Sequence, residues 1–474
     1  MDRRKFVKAA GVVAGSTVLG EQIYGKVFFP NFNASTKRPN ILLIMTDQQA
    51  ADAMSWRIGN KYINTPVMDE IASKGIIFSN AYAANPLCVP VRTSLFTGFY
   101  PHQTGVQTNA DKNKSLAGKM KHMGSIFKDA GYDTGYLGKW HMAFPAAEQS
   151  AHGFDFMRSI KDNGIDDELP GGAEEFLTMK REKPFLLVTS FVNPHNICEW
   201  ARNDKLPDGE VGTPPVIDQC PPAVNNLMPM QNEPDITPII KRSSQSSKLF
   251  PVGNFDENKW REYRWAYYRM IETVDALIGK VIQSLHNSGQ YENTLIVFMS
   301  DHGDMQGAHG WSQKTVLFEE STRVPLIIHE PGRTKKETVS ALVNTGIDIL
   351  PTLCDYAGIA LTQDYPGMSL KNSANNIREF IVVENKMIQG ELIEGYKPEP
   401  SGRMVRSTKY KYCIYDMGEK NESLIDLEKD PGEMNNLVAR EKYKNVLEQH
   451  RTYLLEWCKM NNDSFPIKVG LSKK

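Results

Sequence analysis

The sequence predicts an α/β layered domain, a mixed or parallel sheet sandwiched by helices, with a smaller α+β domain behind it. Three observations carry this. Short continuous apolar runs, each the length of a strand buried on both faces, recur along the chain. Helical patterns separate them. The character of the sequence then changes after about Ala374. At 474 residues the chain is also long enough for one core to split into two domains.

Taken in order, the chain opens with Arg3, Arg4, Lys5 and Lys8 ahead of a small-residue apolar run from Ala9 to Leu19. This reads as a targeting segment, too short to span a membrane. Arg3-Arg4-Lys5-Phe6-Val7-Lys8 resembles the bacterial twin-arginine signal, so export by that machinery and a periplasmic location are expected. Residues 1–36 are assigned to this signal and a linker, 37–374 to the main domain and 375–474 to the C-terminal one. No other stretch is long and apolar enough for a transmembrane helix, so no stable membrane span is expected in the mature protein.

Asn40 to Met45 is the first buried strand, and Phe185 to Phe191 and Leu295 to Met299 repeat its character. Weaker runs lie at Ile76 to Ala81, Tyr132 to Leu137 and Val324 to Ile328. The clearest helix places Tyr267, Ile271, Val274, Ile278, Val281 and Leu285 at three- and four-residue spacing, which calls for one face packed on a sheet. Ligands of such domains gather at the carboxyl ends of the strands. Asp47 and the pair Asp301-His302, each directly after a buried strand, are therefore candidate site residues before any motif is considered.

The polar segment from Asn203 to Ser247 reads as a long insertion able to shape a pocket. Beyond it, Arg403 to Tyr415 and Ser423 to Leu427 read as short strands. A turn at Asp430-Pro431-Gly432 and a helix from about Glu441 to Met460 follow.

Composition excludes several function classes. The 55 basic and 56 acidic residues give no broad cationic field for nucleic acid, so any anion recognition must be local. Six cysteines, at positions 88, 198, 220, 354, 413 and 458 with no CxxC spacing, suit neither a disulfide scaffold nor a thiolate zinc site. Nothing marks Cys198 as a nucleophile.

One stretch is far more specific than composition. Cys88-Val89-Pro90-Val91-Arg92-Thr93-Ser94-Leu95-Phe96-Thr97-Gly98 resembles the C-x-P-x-R signature of type I sulfatases, in which a dedicated enzyme oxidises the cysteine to formylglycine. Gly131-Tyr132-Asp133-Thr134-Gly135-Tyr136-Leu137-Gly138-Lys139-Trp140-His141 is similar to the second signature of that family. Arg38-Pro39-Asn40, Ser300-Asp301-His302-Gly303 and the run Asp426 to Glu433 look like further landmarks, so the resemblance covers nearly the whole mature chain.

The resemblance implies an alkaline-phosphatase-like fold, with the C-terminal α+β subdomain. It also implies a nucleophile: hydrated formylglycine at position 88 offers one hydroxyl to attack sulfur and a second that lets sulfate leave. A single divalent cation, Ca2+, would be held by Asp47, Gln48, residue 88, Asp301 and His302. Gln48 stands where many relatives carry a second aspartate, and His302 where many carry asparagine; Gln48 would ligate through its carbonyl oxygen. Arg92 would hold the diol, Lys139 and Lys314 would contact the sulfate, His141 would act as the base of sulfate expulsion, and His195 would protonate the leaving alcohol. His309, shortly before Lys314, is a weaker candidate whose role is left open.

The function expected is an exported sulfatase acting on a sulfated oligosaccharide, such as a glycosaminoglycan or algal fragment, with the formylglycine-generating enzyme as its maturation partner. Choline sulfate and aryl sulfates are alternatives within the class. A phosphonate or phosphate diester hydrolase of the same superfamily is the nearest enzymatic rival, and a non-catalytic binder of sulfated glycans is a reading from a different class.

Overall fold

A computed structural model describes residues 38–112, 116, 120–160, 164–371 and 378–467. The targeting segment read from residues 1–36 lies outside them. Eight strands form the large sheet: β1 (Asn40–Asp47), β2 (Ile76–Tyr82), β3 (Asp133–Lys139), β4 (Phe156–Ile160), β5 (Phe185–Pro194), β6 (Thr294–Ser300), β7 (Leu326–His329) and β8 (Glu337–Asn344). Their order is β4-β3-β5-β1-β6-β7-β2-β8. The sheet is mixed, because β7 runs antiparallel to both β6 and β2.

The apolar runs become central strands because both faces of the sheet are covered. Along β1, Ile41, Leu43 and Met45 enter one core and Leu42 and Ile44 the other, as the two-residue strand period requires. The first core is closed by the helix Cys88–Thr97 and by the helix Thr345–Tyr356. The second is closed by the helix Glu257–Asn287, whose Tyr267, Ile271, Val274, Ile278, Val281 and Leu285 are all fully buried. Its start is fixed by Asp256, whose side chain accepts the Lys259 N–H.

The small sheet is antiparallel, with β9 (Phe380–Lys386), β10 (Ser401–Ser407), β11 (Tyr410–Tyr415) and β12 (Glu422–Asp426) in the order β12-β11-β10-β9. The C-terminal helix Lys444–Asn461 covers one face through Leu447, Leu454 and Trp457. Asn344 Nδ2 donates to Val382 O at 2.9 Å, tying the end of β8 to β9.

Several elements differ from the sequence expectation. The insertion at 203–247 contains a helix, Ile236–Gln245, and Ile236 and Ile240 pack with Met404, Cys413 and Tyr415 of the small sheet. Part of the insertion is thus a domain-joining element. The helix Cys88–Thr97 carries no amphipathic signal because each of its ten residues is buried, so no polar face exists to mark its period. Strands β4, β8 and β9 have no counterpart in the sequence expectation; β4 and β8 are the two edge strands of the large sheet and carry exposed residues, which removes the apolar run. Among the described residues no helix is long and apolar enough to cross a membrane.

Candidate active site

Four neighbouring parallel strands, β3, β5, β1 and β6, end on the same side of the large sheet. Lys139 closes β3, His195 follows β5, Asp47 closes β1 and Asp301 follows β6. The register aligns these ends: Asp47 pairs with Pro194 and Thr46 with Ser300. The placement follows from the parallel topology, which collects the carboxyl ends of separate strands in one place.

Cys88 reaches this point from another direction, as the first residue of its helix. Pro90 is tolerated there because the first-turn N–H groups have no partner within the helix. Arg92 lies one turn on, so both side chains leave the same face. Gly138, at φ 98°, is required where β3 meets β5: an added Cβ would lie 2.1 Å from Ser190 O. The chain can therefore bring Lys139 in beside Asp47 only because no side chain precedes it.

Arg92 is fully buried and organises the floor. Its Nε donates to Asp301 Oδ2 at 2.8 Å, one Nη to Asp47 Oδ2 at 3.0 Å, and the other to Ser190 Oγ at 2.8 Å and Lys139 O at 3.0 Å. The Tyr136 hydroxyl also donates to Lys139 O. Lys139 Nζ lies 2.9 Å from Asp47 Oδ2 as an ion pair without hydrogen-bond alignment. Desolvation opposes ionisation of Asp47, but Lys139, His195 and Arg92 outweigh it and hold the carboxyl well below the usual range.

His302 Nε2 is 3.1 Å from Cys88 Sγ and 3.7 Å from one oxygen each of Asp47 and Asp301. Its Nδ1 lies 3.1 Å from Gly303 O. A carbonyl only accepts, so that contact places the ring proton on Nδ1 and leaves the Nε2 lone pair toward the cluster. Burial lowers the His302 pKa, which also keeps the ring neutral. The ligand atoms of Asp47, Cys88, Asp301 and His302 lie within 4.8 Å of one another. Two carboxylates and a neutral imidazole of this tautomer fit a divalent cation.

Gln48, at φ 71°, turns its amide the other way. Its Nε2 donates to Asp304 Oδ2 at 2.7 Å, and its Oε1 accepts from the Lys314 ammonium. Its backbone N–H donates to Asp301 Oδ1 at 3.1 Å. Lys314 is buried; desolvation would lower its pKa, but Cys88, Cys198 and Asp47 hold it above the ordinary value.

His141, also at positive φ, lies against Cys88, and burial lowers its pKa. His195 sits at a partly exposed position, with Nδ1 buried and without a hydrogen-bond partner. Burial, then Lys139 and Lys314, press its pKa well below the usual value. All the residues singled out from sequence except His309 thus meet around Cys88. The His309 ring stacks on Phe318 with centroids 4.1 Å apart, in the apolar cluster that joins the large domain to the small sheet.

The sequence alone does not single out Ser190, Tyr136, Asp304, Tyr263 or Tyr267 as part of the site. Tyr267 reads as core, and its ring is; its hydroxyl donates to Gln48 O at 2.6 Å. Tyr263, one turn earlier, donates to Asp304. Asp166 is a further such residue: it accepts the N–H groups of Val192 and Asn193 at 2.7 and 2.8 Å and so fixes the turn that carries His195. Burial pushes its carboxyl up to about 7. Tyrosines four apart on one buried face, and Asp304 so soon after Asp301, are the signals that sequence offers for them.

Over most of its length the chain is similar to known proteins. The profile of the Sulfatase family matches residues 39–359, and that of the N-sulphoglucosamine sulphohydrolase C-terminal region matches 307–459. The Delta 4,5-hexuronate-2-O-sulfatase of Bacteroides thetaiotaomicron is 30% identical over 452 residues, covering 90% of each chain. A choline-sulfatase of Rhizobium meliloti is 30% identical over 457 residues, covering 85% of this chain and 83% of its own. A solved structure described as a 2-O GAG sulfatase superposes with a TM-score of 0.76 at 29% identity, over 90% of this chain and 94% of that one.

Proposed function

Because the chain belongs to the sulfatase family, within the alkaline phosphatase superfamily, and is a sulfuric ester hydrolase, we propose that it removes sulfate from a sulfated carbohydrate with a formylglycine made from Cys88. The observation that carries this reading is the setting of Cys88, whose Sγ lies 3.1 Å from His302 Nε2 and 3.9 Å from Asp47 Oδ1. Around it stand three buried cations, Arg92, Lys139 and Lys314, against the carboxylates Asp47 and Asp301. That surplus of positive charge suits an anionic ester.

Asp47, residue 88, Asp301 and His302 are assigned to one Ca2+; Gln48, expected from the sequence as a further ligand, is not among them, because its Oε1 accepts from the Lys314 ammonium and its Nε2 donates to Asp304. The cation supplies Lewis-acid charge beside the sulfate. The formylglycine hydrate supplies the attacking hydroxyl and the hydroxyl that lets sulfate go.

The chain's own groups do the rest. Arg92 binds Asp47 and Asp301 at once and so fixes the gap between them. Lys139 and Lys314 face the sulfate oxygens and draw charge as the ester bond breaks. His141, neutral through burial, takes the proton from residue 88. His195 is held neutral by burial first and then by Lys139 and Lys314; an anionic ester offsets those two cations and so favours the protonated imidazole that gives its proton to the leaving oxygen. The carbohydrate assignment is supported by the hexuronate sulfatase, whose likeness extends over nine-tenths of both chains. The Arg3-Arg4 signal supports export by the twin-arginine machinery and a periplasmic site of action.

The test is sulfate release by protein whose formylglycine content has been measured, against sulfated mono- and disaccharides, choline sulfate, an aryl sulfate and a phosphodiester. Selective release from one sugar is the expected result. Fastest turnover of choline sulfate would overturn the carbohydrate substrate, and fastest turnover of the phosphodiester would overturn the sulfate preference.

A further inference from the structure

Asp304 has no part in the chemistry above, yet it is fully buried directly beneath it. Three donors converge on its carboxylate. Gln306 N donates to Oδ1 at 2.8 Å, Gln48 Nε2 to Oδ2 at 2.7 Å, and the Tyr263 hydroxyl to both oxygens at 3.2 and 3.0 Å. On the far side of Gln48, Oε1 accepts from the Lys314 ammonium.

The amide of Gln48 has only one workable direction in this chain. Reversed, its amino group would face an ammonium, donor against donor, and its oxygen would face a carboxylate, acceptor against acceptor. Lys314 is a long flexible side chain with three rotatable donors, so an acceptor fixed in place decides where its charge points. That acceptor is itself aimed by Asp304, and Asp304 is oriented by Tyr263 from the helix Glu257–Asn287 and by the backbone at Gln306.

We propose that Asp304 is a positioning residue for the reaction: acting through the Gln48 amide, it aims the Lys314 ammonium at the sulfate. This rests on the reading that Lys314 contacts the sulfate, and it adds a residue that acts on that lysine only through the Gln48 side chain. The Asn substitution is a sharp probe. The N–H of Gln306 still demands an oxygen at the Oδ1 place, so the new amino group falls toward Gln48. The Gln48 amide must then turn over and present its own amino group to Lys314.

The experiment is a double-mutant cycle read as kcat and KM separately, with formylglycine content and melting temperature measured for every variant. Asp304→Asn is expected to lower kcat by about a hundredfold, as misplacement of a catalytic group by a distant change does, with KM little altered. In a Lys314→Ala background the same change should cost no more than about twofold, because the group it acts through is gone. The exchanged pair Asp304→Asn with Gln48→Glu restores an acceptor facing Lys314 at unchanged total charge, and should recover about tenfold of the loss.

Equal losses in both backgrounds, or an exchanged pair no better than Asp304→Asn alone, would overturn the role of Asp304. If Asp304→Asn does not fold, Gln48→Met taken through the same cycle decides the same question, coupling with Lys314→Ala supporting the relay and additivity overturning it. Wild-type protein that carries formylglycine and releases no sulfate from any ester would remove the underlying reading instead; a wild type that turns over with an additive cycle removes only Asp304.

Discussion

Two of the dense clusters of charge buried among the described residues close in opposite ways. Where the large domain meets the small sheet, Lys411 Nζ lies 2.5 Å from Glu433 Oε1 and 3.4 Å from Glu319 Oε1. Glu433 Oε2 accepts the Glu319 N–H at 2.7 Å, Glu319 Oε2 accepts the Tyr82 hydroxyl at 2.8 Å, and Arg406 Nε donates to that hydroxyl at 2.7 Å. Lys411, Glu433 and Arg406 come from the C-terminal region, and Glu319 and Tyr82 from the large domain. The pairs answer one another across the join. At the strand ends, by contrast, Asp47, Asp301, His302 and Cys88 aim ligand atoms at a shared point. Buried charge that is mutually satisfied holds domains together; buried charge that converges on a point builds a site.

If that contrast holds, the two clusters answer differently to damage. The largest effect is expected from Cys88→Ala: no detectable sulfate release, with stability reduced by only about 1 kcal/mol for a small side chain lost. Kinetics and a melting curve on the same preparation check it, and activity surviving the change would break the contrast. Next is chelation. EDTA should suppress sulfate release and added Ca2+ restore it better than Zn2+, since oxygen donors predominate in the assigned set. Activity indifferent to prolonged chelation at elevated temperature would count against the assigned ligands.

Arg92→Lys should cost on the order of a hundredfold in kcat/KM, because an ammonium cannot make the four directed contacts of the guanidinium. Lys411→Met should do the reverse, costing about 3–5 kcal/mol of stability by stranding Glu433 and Glu319, with kcat of the folded enzyme unchanged. Denaturant melts beside turnover at low temperature separate the two losses.

The smallest expected effect is a pH dependence at a second contact between the domains, where His102 Nδ1 lies 2.6 Å from Glu384 Oε1. Burial opposes protonation of His102, but Glu384 outweighs it and raises the pKa above the ordinary 6.5. The folded-state pKa therefore exceeds the unfolded one, so the pair's contribution is complete below about pH 6.5 and fades as pH rises through the folded value. The stability gap between wild type and His102→Gln should be wide near pH 6 and narrow by about pH 9. A constant gap would show that the imidazole acts by packing alone.

Legibility in the sequence followed burial. β1, β5 and β6 are readable because strands covered on both faces must be apolar throughout, and the polar residues that end them stand out. Asp47, Asp301 and His302 are visible for that reason, and Cys88 and Arg92 through their signature. The helix that carries Cys88 and Arg92 is hidden by the same completeness of burial, since a helix without a polar face shows no period. The helix Ile236–Gln245 is obscured by the polar residues around it, although Ile236, Ile239 and Ile240 carry the helical spacing.

What the sequence determined by itself is which groups the proposed chemistry draws on: its signatures single out Cys88, the acids and imidazole that suit a cation, and the side-chain cations that suit a sulfate. What only the tertiary structure decided is how those groups are held. Ser190 on β5 meets Arg92, Asp304 beyond β6 meets Gln48, and Tyr263 on a distant helix meets Asp304, each across a long stretch of chain. A hydroxyl or carboxylate carries no mark of its partner in its own neighbourhood of sequence, because a hydrogen bond depends on separation in space, and that separation is set by the packing of the whole sheet and its helices.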